Sequence, residues 1–125
     1  MASPSPALPS PLLFSLAGRN VLITGASRGI GQACAVALAQ AGARICLVVR
    51  NAAAAADTLA AIPAAEHVLC DLADIDAVRR VFEVALDKMG GEIHVLVNCA
   101  GIQRRAPSVE FLEQDWDDEI GRAHV

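Results

Sequence analysis

From Arg19 onward the chain alternates short apolar runs with longer stretches of helical periodicity, and this alternation limits the fold more than any other feature. A strand written as an unbroken apolar run must be buried on both faces. Helices placed between successive strands supply the two covers, so the pattern points to βαβ units and a parallel sheet. Residues 21–23 read as a buried strand that ends at Thr24, and a helix over about 30–41 follows, stopped by Gly42. The second strand is 45–49, and 52–62 is an alanine-dominated, helix-favouring stretch closed by Pro63. A short third strand covers 67–70. Asp74 is placed to cap the next helix, in which Val78, Val81, Phe82, Ala85 and Met89 recur at three- and four-residue steps as a core-facing stripe, ended by Gly90 and Gly91. The fourth strand is 93–97.

Composition matters here mainly for what it excludes. A chain of 125 residues holds about one domain, so a separate substrate domain does not fit. With 54% hydrophobic and 19% charged residues it suits a packed core rather than disorder. A net charge of −4 without a Lys/Arg run gives no footprint for nucleic acid or an anionic membrane surface. No apolar run approaches the ~20 residues of a membrane span. Cys34, Cys46, Cys70 and Cys99 lie in apolar segments without C-x-x-C spacing, which reads as buried reduced thiols in a cytoplasmic protein rather than disulfides or a metal site. Residues 1–17 are rich in Pro, Ser and Ala, with Pro4, Pro6, Pro9 and Pro11 forbidding regular structure. They are expected to be a disordered lead-in with neither transit nor secretory character, ahead of a domain over 18–118.

The chemistry concentrates where the first strand meets the first helix, in Thr24-Gly25-Ala26-Ser27-Arg28-Gly29-Ile30-Gly31. A diphosphate needs backbone N–H groups aimed at it and no Cβ atoms in its way. Gly25 would allow the turn, Gly29 the close approach and Gly31 tight packing of the helix, whose N-terminus adds partial positive charge. Gly25, Ser27, Arg28, Gly29, Ile30 and Gly31 are therefore candidate cofactor-binding residues. A lone glycine triplet is also compatible with an ordinary loop; its place after a buried strand and before a helix favours the nucleotide reading.

The spacing Thr24-Gly25-x-x-x-Gly29-x-Gly31 resembles the nucleotide loop of the short-chain dehydrogenases/reductases. Asp71-Leu72 resembles that family's adenine-contacting pair, although an Asp there can equally help to start the next turn. Asn98-Cys99-Ala100-Gly101 resembles its Asn-Asn-Ala-Gly segment beside the cofactor trough, with Cys99 departing from the second Asn. The resemblance spans about residues 13–118. It implies the α/β class, a Rossmann-type doubly wound parallel sheet, here truncated after the fourth strand and part of the following helix. It also adds Asp71, Leu72, Asn98, Ala100 and Gly101 to the cofactor-binding candidates.

Relatives that use NAD place an acidic residue at the end of the second strand to hold the ribose hydroxyls. Here that position is Val49, followed by Arg50, and Arg28 lies in the glycine loop. Two guanidinium groups could converge on a 2′-phosphate, which favours NADP, with NAD possible; the alternative is that either Arg is a solvated surface charge.

The segments 13–19, 100–107 and Asp115-Trp116-Asp117-Asp118 resemble the sugar-acid branch of the family, the 2-deoxy-gluconate and 2-dehydro-3-deoxy-gluconate dehydrogenases. Arg104 and Arg105 beside the site's mouth could steer an anionic sugar acid, or could be merely solvated. The family's proton donor is a Tyr followed four positions later by a Lys. This chain has no tyrosine, and its single lysine, Lys88, reads as a solvated charge on the last full helix, so no catalytic residue is assigned. The expectation is an oxidoreductase of hydroxyl and ketone groups represented by an inactive fragment, the alternative being a non-catalytic dinucleotide-binding module. The complete form is expected to be a homo-oligomer, and the fragment is not. Residues 119–125 can be encoded by a nucleotide string containing the start of a sequencing adapter and are expected to be a non-native tail, so His124 is not offered as a metal ligand or base.

Overall fold

The four apolar runs form the strands β1 (Asn20–Thr24), β2 (Arg44–Val49), β3 (Glu66–Leu69) and β4 (Val95–Asn98). They belong to a computed structural model in which residues 14–101 and 106–123 are described. All pair in parallel, in the order β3-β2-β1-β4. Val21 stands opposite Ile45 on one side and Val95 on the other. The chain moves outward from β1 to β3 and then returns past β1 to β4. Connections to the two sides of β1 therefore diverge and leave a crevice at its carboxyl end, as in a Rossmann-type doubly wound sheet.

Successive side chains of a strand point to opposite faces, and two clusters divide the core accordingly. Val21, Ile23, Ile45, Leu47 and Val49 pack on one face with Ala35 and Cys34 of α1 (Gly29–Gln40), and with Ala55 and Leu59 from the segment that contains α2 (Ala56–Ala61). Leu22, Cys46, Val48, Val68 and Cys70 pack on the other with Val78, Val81, Ala85 and Met89 of α3 (Ile75–Lys88) and its C-terminal cap. A last helix, α4 (Glu113–Ala123), runs unbroken across the Asp118–Glu119 boundary. The lead-in to residue 13 and Arg104, Arg105 and His124 lie outside the described residues.

Local chemistry accounts for where the elements depart from the sequence expectation. The alanine-rich stretch 52–62 is not one helix: a 3-10 turn, Ala53–Ala55, precedes α2. Asn51 Oδ1 accepts the Ala54 N–H at 2.7 Å and tightens the start, while fully buried Ala55 presses the turn onto the sheet. β4 begins at Val95 rather than 93 because the His94 ring Nδ1, instead of a strand carbonyl, accepts the Asn20 N–H at 2.8 Å. Phe82 is 46% exposed, not core. The stripe covered by the sheet centres on Val81, Ala85 and Val78, and Phe82 lies at its rim. Lys88 is not a free surface charge either, since its Nζ donates to the His67 carbonyl at 2.8 Å and straps the end of α3 to β3. Cys46 and Cys70 are buried as expected, whereas Cys34 and Cys99 are only part-buried.

Candidate dinucleotide site

The crevice beyond β1 is a cleft of about 410 Å³. The turn between β1 and α1 lines it and needs glycine on steric grounds. Gly25 has φ +68, and a Cβ there would collide with the Cys99 carbonyl carbon at 2.5 Å and with the Ala100 nitrogen. A Cβ at Gly31 would run into the Gly25 carbonyl, so the first turn of α1 folds directly onto the loop. Gly29 has φ +60 and only open space where its side chain would be, on the cleft wall.

Among the described residues no side chain caps the start of α1. Its N-cap, Arg28, is extended and makes no side-chain cap hydrogen bond, and the first turn contains no acidic residue. An α-helix begins with backbone N–H groups that have no intrahelical partner and carry partial positive charge. Those donors sit beside the cleft lined by Ser27, Arg28, Ile30 and Gly31, an arrangement suited to an anion. On the opposite side Thr24 ties β4 to the turn: its carbonyl accepts the Cys99 N–H and its Oγ1 the Ala100 N–H, both at 3.3 Å.

Of the residues singled out from sequence, Gly25, Ser27, Arg28, Gly29, Ile30, Gly31, Arg50, Leu72, Ala100 and Gly101 line this one cleft. Asp71 and Asn98 do not. The Asp71 carboxylate accepts the Ala73 N–H at 2.9 Å and so shapes the turn before α3, and Asn98 stands exposed in register with Thr24. Val48, Ala54, Cys70 and Cys99 also line the cleft and were not singled out. For Val48, Cys70 and Cys99 the available signal was their place at or just past the carboxyl end of a strand; Ala54 had none, being one alanine in a run. Burial raises the Cys99 thiol above its ordinary pKa, with neighbouring Cys34 adding to the effect.

A glycine turn, an uncapped helix start and two arginines around a switch-point crevice define a dinucleotide-binding α/β protein. Comparison with known proteins narrows the class. The family described as short chain dehydrogenase matches residues 19–123, and the chain belongs to it. It is 45% identical over 112 residues to a gluconate 5-dehydrogenase of Gluconobacter oxydans, covering 86% of this chain and 43% of that protein. Among solved structures, it resembles a gluconate 5-dehydrogenase from Burkholderia cenocepacia in complex with NADP and tartrate, at TM-score 0.76 and 41% identity, covering 87% of this chain and 44% of that one. It also resembles the Pseudomonas aeruginosa RhlG complex with NADP, at TM-score 0.77 and 38% identity, covering 87% and 43%. The chain thus spans less than half the length of these relatives. No described helix is long and apolar enough to cross a membrane, and the described residues contain no group of three or more His, Cys, Asp or Glu able to hold a metal.

Proposed function

We propose that this chain is the coenzyme-holding part of an NADP-dependent oxidoreductase that interconverts a hydroxyl and a ketone on a small sugar acid. The observation that carries the proposal is the meeting of Arg28 and Arg50 with the glycine turn around one cleft, while Val49 occupies the position where a carboxylate would hold ribose hydroxyls. The α1 N-terminus would bind the diphosphate, Arg28 and Arg50 the 2′-phosphate, and Leu72, Ala100 and Gly101 the adenine end and trough wall. Related proteins bound to NADP, and relatives named as gluconate dehydrogenases, support the coenzyme and the substrate class.

The bound nicotinamide would supply or accept the hydride. The residues of this chain bind and orient it; a proton donor of the tyrosine type is not among them, because the chain contains no tyrosine. These 125 residues are accordingly proposed to bind coenzyme without turning over substrate.

Titration with NADPH and NADH, read by fluorescence, tests the reading. NADPH should bind more tightly, and Arg50→Asp should reduce the NADPH-to-NADH affinity ratio by about ten-fold through loss of forked hydrogen bonds to a phosphate. An unchanged ratio removes Arg50 from the site, and absence of binding by either coenzyme removes the function.

A further inference from the structure

One buried hydroxyl that does not itself line the cleft joins the glycine loop to the first turn of α1. Thr58, on α2, is fully buried. Its Oγ1 donates to the Ala26 carbonyl at 2.7 Å and accepts from Gln32 Nε2 at 3.0 Å. A hydroxyl has one proton to give, so the two bonds fix each other's direction. Ala26 precedes α1 and Gln32 lies in its first turn, so one side chain of a neighbouring helix clasps both ends of the anion-binding turn.

We infer that Thr58 is a positioning residue for the coenzyme diphosphate, acting through the orientation of the Ala26–Ser27 peptide; this rests on the dinucleotide reading of the cleft. In a trans peptide the carbonyl and the following N–H point in opposite directions. With the Ala26 oxygen drawn into the core by Thr58, the Ser27 N–H is turned toward the cleft that Ser27 lines. Without the hydroxyl, that carbonyl is a buried acceptor with no partner, a costly state that a turn of the peptide toward the cleft would relieve. The turn would bring a carbonyl oxygen, not an N–H, to face the phosphates. Gln32 locks the arrangement, since its amide donor prevents the hydroxyl from rotating away from Ala26.

The consequence is selective. A ligand with a diphosphate should depend on Thr58, whereas one that carries only adenine, ribose and the 2′-phosphate should not. The test compares NADPH with 2′-AMP on the unsubstituted chain, Thr58→Val, Thr58→Ser and Gln32→Leu, with thermal midpoints taken in parallel. Thr58→Val is expected to weaken NADPH by about ten-fold, in line with one charge-assisted hydrogen bond, and to leave 2′-AMP within about two-fold. Thr58→Ser, which keeps the hydroxyl, should restore NADPH binding, and Gln32→Leu should show a smaller loss of the same selectivity. If Thr58→Val does not fold, a Gln32→Leu variant that binds NADPH normally overturns the inference. So does a parallel loss of NADPH and 2′-AMP, the mark of a merely structural role, or an NADPH affinity that Thr58→Val leaves unchanged. No binding of NADPH by the unsubstituted chain overturns the dinucleotide reading itself and the inference with it.

Discussion

Helices α1 and α3 cover opposite faces of the same sheet and begin in opposite ways. At α3 the Asp74 side chain accepts the N–H groups of Asp76 and Ala77 at 3.0 and 3.2 Å, Asp76 adds negative charge to the first turn, and Lys88 adds positive charge to the last. Each feature answers the helix dipole within the helix's own sequence. At α1 there is no side-chain cap, no acidic residue in the first turn and no basic residue in the last. The packing differs in the same sense. α3 presses Val78, Val81, Ala85 and Met89 onto the sheet, whereas α1 approaches through Gly31, Cys34 and Ala35, small residues that bring its backbone against the loop. A helix capped and charge-balanced by its own sequence needs nothing further at its ends; one without a side-chain cap, and packed close, leaves its first N–H groups beside the cleft, where the proposed coenzyme diphosphate would meet them.

The largest test of that contrast is Gly31→Val. Its side chain would overlap the Gly25 carbonyl and must push α1 off the turn, so NADPH binding should fall by more than about a hundred-fold while stability drops by ~1–3 kcal/mol, as overpacking does. Titration and thermal melting report the two effects separately. Near-normal binding would show that the close approach of α1 is not what makes the site.

The α3 face is sharpened by pH. Burial pushes the Cys46 thiol from the ordinary 9.0 up to about 11, an effect that Glu66 reinforces and Lys88 and Arg44 partly oppose. Below 9 both folded and unfolded thiols keep their protons. Between 9 and 11 the unfolded chain sheds a proton that the fold retains, so stability should decline as pH rises through that window. Denaturant midpoints measured across it should fall for the native chain and fall less steeply for Cys46→Val; identical slopes would dissociate Cys46 from the alkaline transition.

The smallest effect is expected at the capped helix. Asp74→Ala should cost about 1 kcal/mol of stability and leave NADPH affinity unchanged, because the cap serves α3 alone. If denaturation shows the loss together with weakened NADPH binding, the two faces are coupled and the separation drawn between the helices fails.

Much of this was legible in the residues themselves. The apolar runs at 21–23 and 45–49 and the spacing of Gly25, Gly29 and Gly31 announce buried parallel strands and a close-packed turn at the cleft, because burial on two faces and freedom from Cβ are properties that a short stretch of chain displays alone. Asp74 likewise reads as a cap from its place before a periodic apolar stretch. Other features depended on neighbours distant in sequence. Thr58 is one polar residue in an alanine-rich stretch until α2 is laid against α1, and only then does its hydroxyl meet Ala26, 32 residues away. Cys99 looks like a departure from a motif until its backbone is seen against Gly25. Asp71 could serve a ligand or a turn, and the structure shows its carboxylate accepting the Ala73 N–H. Periodicity and glycine spacing are local and survive in one dimension. Which carbonyl a buried hydroxyl meets, and which face an alanine run presents, depend on how separate elements pack, and the tertiary structure alone decided them.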